Sequence, residues 1–240
     1  MKAVLHKAAS RGFANHGWLQ ANHSFSFAGF YDETKIHFGA LRVLNDDVIA
    51  PKMGFGTHPH DNMEIITIPL KGVLKHRDNI MHQEWQEVLP GEVQVMSAGT
   101  GVKHSEINGS VEEDLSLFQI WIMPNKQNVT PRYDQKYFDE NERKNKLQVL
   151  VSSIDDDFEG SLKIHQDAII SRITLNKDEN FAYHLKSKAH MVYVMNIHGE
   201  IEINTENLLA RDAIGVSETE RFEIKPKEDS EILFIEVPRI

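Results

Sequence analysis

His58 and His60 stand one residue apart in HPHDNMEIITI, and His104 and Glu106 stand one residue apart in GVKHSEING. In an extended chain alternate side chains leave the same face roughly 7 Å apart, so each pair projects together from its strand. Two such pairs on neighbouring strands converge on one point. Three imidazoles and a carboxylate suit a borderline divalent cation such as Fe(II), Mn(II), Ni(II), Cu(II) or Zn(II), whereas calcium wants more oxygens. On a six-coordinate ion, four protein ligands leave two positions for a substrate oxygen and for dioxygen or water, the arrangement in which non-haem iron does oxygen chemistry. A structural zinc would close as a tetrahedron instead, and the spacing fits either geometry. Glu64 shares strand parity with His58 and His60 and is read as a hydrogen-bond partner of an imidazole in preference to a fifth ligand or a merely hydrogen-bonded strand residue.

Strands must carry these pairs, and strand patterns recur along the chain. Apolar alternation with β-branched and aromatic residues marks 37–44, 63–70, 92–99 and 115–123, punctuated by turn residues such as Gly72, Asp78-Asn79 and Pro90-Gly91. This is the pattern of an all-β sandwich or barrel. After Pro124 a polar stretch to residue 146 reads as a linker with one short helix at its end. Strand patterns then resume at 147–154 and recur at 163–175, 190–204, 222–226 and 231–238. The expected division is an N-terminal unit over 1–130 with the metal site and a C-terminal unit over 131–240 without ligands. Overlaying the halves on Gly72 with Gly199, and on Leu89–Gly91 with Leu209–Arg211, sets Leu185 and Ser187 against His58 and His60. The same overlay sets Ile224 and Pro226 against His104 and Glu106, so only the first copy holds the polar cluster.

Composition narrows the functional classes. The formal charge of −10 repels nucleic-acid phosphates and anionic lipid, so direct nucleic-acid binding is not expected, while a basic protein partner is permitted. Cysteine is absent, which excludes disulfides, iron–sulfur clusters and thiol nucleophiles and leaves His, Asp and Glu as metal ligands. No apolar run reaches the length of a membrane span or a signal sequence, and the expected location is the cytoplasm. DDDFEG at 155–160 imitates a calcium loop, but its twelfth position is Gln166 and no helix pattern flanks it, so a solvated turn is expected. GTGVKHS lacks the Gly-Lys-Ser/Thr order of a phosphate loop. His23 and His37 are read as hydrogen-bonded structural residues. Phe25, Phe27 and Trp18 are read as core, with a cavity mouth as the other reading.

HPHDNMEIITIPLKG followed by LPGEVQVMSAGTGVKHSE resembles the two motifs of the cupin superfamily, specifically those of the pirin family. HGWLQANHSFSFAGFYD, LRVLNDD, FQIWIMP and GSLKIHQDA extend the likeness over most of the chain. The resemblance implies a bicupin of two β-barrels, the metal in the first and none in the second, with His58, His60, His104 and Glu106 as ligands. General cupin motifs use the first-motif glutamate as a ligand, so Glu64 is carried over only as a neighbour. The activity implied is that of a quercetin 2,3-dioxygenase holding Fe(II) first among the candidate metals and acting on a flavonol-like aromatic substrate with O2. The substrate's enol proton would pass to Glu106, with Glu64 the lesser candidate base. The other implied role, seen among eukaryotic relatives, is a non-enzymatic iron-binding redox sensor that binds a protein partner.

Overall fold

The computed structural model describes residues 1–240, and its regular structure is β apart from two short 3-10 turns. In the first half a large sheet runs from edge to edge through β12 (Arg132–Tyr137), β9 (Glu92–Ser97), β6 (Glu64–Lys71), β11 (Leu115–Ile122), β4 (Leu41–Ile49), β3 (Leu19–His23) and β2 (Gly12–Asn15). Its small companion is β5 (Gly54–His60), β10 (Val102–Asn108), β7 (Leu74–Asp78) and β8 (Gln86–Val88). The second half repeats both. Its large sheet is β1 (Lys2–His6), β20 (Ala213–Ser217), β17 (His190–His198), β22 (Ser230–Pro238), β15 (Ile169–Leu175), β13 (Gln148–Ser153) and β14 (Leu162–Ile164). Its small sheet is β16 (Phe181–His184), β21 (Arg221–Pro226), β18 (Ile201–Ile203) and β19 (Glu206–Leu208).

The expected all-β pair of cupin units is therefore present, each as a two-sheet sandwich; no ladder closes large and small sheets into a barrel. Edge strands are exchanged between the units. β1, from the extreme N-terminus, pairs with β20 of the second unit, and β12 fills the matching edge of the first by pairing with β9. β12 lies inside the polar segment read as a linker, and the short helix expected at its end is the 3-10 turn Glu140–Arg143.

Alternation explains where the cores sit. On β6, Ile66 and Ile68 face the other unit while Ile65 and Thr67 face the sandwich interior. On β17, Tyr193, Met195 and Ile197 face the first unit while Val192 and Val194 face inward. Strands buried on both faces lose their polar alternation, which is why these segments read as near-continuous apolar runs. The largest core, 25 buried side chains, lies between the two large sheets rather than inside either unit. Because that shared core exceeds each internal one, the units are held together as one body.

Candidate metal centre

β10 is the spine of the site. On one side His104 lies opposite His58 of β5 and Val102 opposite His60; on the other, Glu106 lies opposite His76 of β7. The β5–β10 register shifts between His104 and Glu106. Such an irregularity re-aims side chains locally. It depends on close strand approach, since a Cβ on Gly54 would meet the Glu106 carbonyl oxygen at 2.2 Å.

The imidazoles gather as the spacing predicts. One potential ligand atom from each of His58, His60 and His104 lies within 4.8 Å of the others, and His76, His104 and Glu106 form a second such group. The four expected residues are thus distributed over two triads that share His104, and Glu106 belongs to the inner one. His76 was not singled out by sequence. Its signal is available in hindsight, because Leu74, His76 and Asp78 share the inward parity of β7 and all are buried.

Electrostatics keep the site ready for a cation. His104 is 1% exposed, and neither ring nitrogen has a hydrogen-bond partner among the protein's own atoms. An imidazole so buried without a partner is costly, and coordination of a metal would satisfy it. Burial first, then the neighbouring His58 and His76, lowers the His104 pKa to about 3; burial followed by His104 and His58 lowers that of His60 to about 4. Both rings are therefore neutral at pH 7, the protonation state a metal requires. His58 Nδ1 donates to the Gly56 carbonyl at 2.8 Å, which leaves Nε2 as its ligand atom. Glu106 accepts from Gln119 Nε2 at 3.1 Å and from Thr67 Oγ1 at 3.5 Å. His76 is clamped between Asp78, 3.1 Å from Nε2, and Gln94, 3.2 Å from Nδ1.

Glu64 takes a different place from the one expected. The chain turns at Asn62, whose φ is 43°, so β5 and β6 belong to different sheets and strand parity does not carry across. Glu64 shares the Ile66 face toward the second unit and accepts from Ser97 Oγ at 2.6 Å, with no imidazole as partner. Burial raises its pKa against the opposing effect of that hydrogen bond.

Beside the triads opens a pocket of about 440 Å³, lined by Trp18, Phe27, Phe55, Trp121, Asp47 and Gln119 as well as His58, His60 and Glu106. Its volume lies in the range of small-molecule sites. Trp18 and Phe27 thus line a cavity mouth, whereas Phe25 is core, packed on Tyr193. Asp47 was also missed as an individual residue. Burial, then the charges of Asp46 and Glu106, raises its pKa to about 8, so a protonated carboxyl faces the pocket at neutral pH. His23 lines the same pocket but its Nδ1 is engaged by Asn45 Oδ1 at 2.9 Å, and His37 Nδ1 donates to the Gly39 carbonyl at 3.0 Å. At the calcium-like loop, Gln166 donates to the Met123 carbonyl and no helix flanks the turn.

The second unit has no such cluster. Its registers pair Phe222 with Tyr183 and Ile224 with Ile203, matching His104 with His58 and Glu106 with His76. Tyr183, Leu185, Phe222 and Ile224 therefore occupy the places of His58, His60, His104 and Glu106. This corrects the turn-based overlay by two residues, because the chain from His58 to Gly72 is two residues shorter than that from Tyr183 to Gly199, and that from Gly91 to His104 two longer than that from Arg211 to Phe222.

Two cupin sandwiches in one chain, one lined by histidines beside a pocket and one filled with apolar side chains, define a two-domain cupin with a single site suited to a divalent metal. Residues 5–122 match the pirin family model, and residues 149–237 match the model of the quercetinase C-terminal cupin domain. The chain belongs to the pirin family. It is 43% identical over 236 residues to quercetin 2,3-dioxygenase of Escherichia coli strain K12, covering 98% of this chain and 99% of that protein. A pirin-like protein of Caulobacter vibrioides is 40% identical, with 94% of this chain and 95% of that protein covered. The crystal structure of the bacterial pirin YhhW from Escherichia coli in complex with nickel(II) superposes with a TM-score of 0.92 at 41% identity, covering 100% of both chains. No helix is long and apolar enough to cross a membrane.

Proposed function

We propose that this protein is an iron(II)-dependent dioxygenase that opens a flavonol-like ring with O2. His58, His60, His104 and Glu106 would hold the metal. The observation that carries the reading is the buried, unpartnered His104 at the junction of both triads, directly beside an aromatic-lined pocket. The name carried by the relative from Escherichia coli supports the substrate class. The metal's contribution is Lewis-acid activation of the substrate's enol oxygen together with redox contact for dioxygen.

The chain's own residues do the rest. Trp18, Phe27, Phe55 and Trp121 offer flat apolar faces to a polyphenolic ring and keep water from it. Glu106, oriented by Gln119 and Thr67, is the base that takes the enol proton. Asp47, whose burial beside Asp46 favours the protonated carboxyl, would donate a hydrogen bond to a carbonyl or oxyanion on the bound ring.

Oxygen uptake by the Fe(II)-loaded protein supplied with quercetin tests this. The expected result is oxygen consumption matched by loss of the flavonol's absorbance. Glu106→Gln should lower kcat by about 10²-fold or more, the usual worth of a general base, with a smaller change in substrate binding. Absence of oxygen uptake with iron, nickel, manganese and copper forms alike would sink the proposal.

A further inference from the structure

A second cavity, also of about 440 Å³, lies at the seam between the two large sheets and shares no residue with the histidine pocket. Arg143 from the 3-10 turn, Arg172 from β15 and Arg211 from the β19–β20 turn line it together with Leu70, Tyr137 and Ile197. Arg143 and Arg172 are each less than a tenth exposed. They share one carboxylate, Glu231, which lies 3.1 Å from Arg143 Nη2 and in closer contact with Arg172 Nη2. Glu140, 3.9 Å from Arg143, is largely in solvent. Arg211 Nε is 3.4 Å from Asp46, whose same oxygen already takes Arg11 at 3.1 Å. Four guanidiniums thus meet one buried carboxylate, Asp46, and one partly buried one, Glu231, in a chain that is acidic overall.

Hydrogen-bond accounting gives the same imbalance. Arg143 Nε, Arg172 Nε and Arg211 Nη1 are all buried and have no acceptor among the protein's own atoms. A guanidinium cannot relieve its burial by losing a proton, so the cluster keeps its full positive charge beside the cavity. Burial, with Arg143 and Arg211 as neighbouring cations, lowers the proton affinity of Arg172 against the pull of Glu231.

Backbone conformation supplies an independent sign. Arg211 has φ 68°, in the left-handed region that disfavours side chains, at the turn position where the first unit carries Gly91 with φ 90°. An arginine held where glycine fits better indicates a role for its head group, which also lies over the Phe118 ring at 5.1 Å.

We propose that this cavity binds a small phosphate monoester, its oxyanion held by Arg143, Arg172 and Arg211 and its apolar body against Leu70, Tyr137 and Ile197. Phosphate offers three terminal oxygens to three separate donors, whereas a carboxylate offers two. The site assumes nothing about chemistry at the histidines.

Calorimetric titration of the full-length, metal-loaded protein with phenyl phosphate, inorganic phosphate and benzoate at constant ionic strength tests the proposal. Phenyl phosphate should saturate at one per chain and bind more tightly than inorganic phosphate, with benzoate the weakest. Arg211→Gly suits the left-handed turn and leaves Asp46 its Arg11 partner, so it should fold normally and bind phenyl phosphate at least tenfold more weakly. Glu231→Gln, removing the competing carboxylate, should bind it several-fold more tightly. Absence of saturable heat with either phosphate, or wild-type affinity in Arg211→Gly, would overturn the site. Inorganic phosphate binding as tightly as the ester would overturn the assignment of an organic body.

Discussion

The interiors of the two units show how one framework carries either a reactive centre or a plain core. In the second unit 15 buried apolar residues form one continuous cluster, with Tyr183 stacked on Phe222 and Phe234. In the first unit the corresponding space is broken into clusters of 7 and 4, and the polar site lies between them. The substitution is systematic in the registers. His76 stands where the second unit has Ile203, Thr67 where it has Val194, Gln119 where it has Phe234 and Asp47 where it has Ile173. Each polar side chain in the first unit costs desolvation that its apolar counterpart avoids. The stability given up inside one sandwich is offset by the core common to both and by the fully apolar filling of the other.

The contrast breaks most sharply at the histidines. His104→Ala should weaken metal binding by about 100-fold or more, and His58→Ala by a similar factor, because either loss opens the same ring of ligands. His165→Ala and His198→Ala, in the second half, should leave bound metal unchanged by elemental analysis. Equal metal loss from both halves would refute the division of labour. Next in size, Ile224→Glu places the counterpart of Glu106 in the apolar sandwich with no cation or donor to meet it. Urea denaturation should show a loss of roughly 3–5 kcal/mol, the scale of an uncompensated buried charge. Gln119→Leu, which imports the apolar character of Phe234 into the first unit, removes the donor that orients Glu106 and should weaken metal affinity about tenfold with little change in stability.

The smallest effect belongs to a buried polar group of the second unit. His190 Nδ1 donates to Glu236 at 2.9 Å and Nε2 to Asp167 at 3.1 Å. The hydrogen bond to Glu236 first, against the opposing effect of burial, raises the His190 pKa above its ordinary value. The folded chain therefore holds this proton more tightly than the unfolded chain. Its stabilisation is full below about pH 6.5 and is lost as pH rises through the raised value. Thermal unfolding from pH 6 to pH 9 should show a decline that His190→Gln reduces; an unchanged decline would remove His190 as its cause.

Much of this was legible in the chain itself. Alternating residues announced the strands, and two pairs at i, i+2 announced the imidazole cluster, because strand geometry fixes both. What escaped depended on pairing across long separations. Glu64 was misread since parity was extended through a turn that sends the chain into another sheet. His76 and Asp47 carry no spacing motif; their meaning comes from the strands beside them. β12 hid in a polar segment because an edge strand need not be apolar on both faces, and β1 gave no sign that its partner lay at Ala213–Ser217.

That last pairing orders events during synthesis. β1 leaves the ribosome about 200 residues ahead of its mate, a wait of roughly 10–40 s at ordinary elongation rates. Until then the nascent chain has an unzipped leading ribbon, available to chaperones or to a sister polypeptide. An edge of the second sandwich is therefore closed by a strand made long before the rest of that sandwich, and a tag fused ahead of β1 would be carried to that edge rather than to the half of the sequence that holds the histidines.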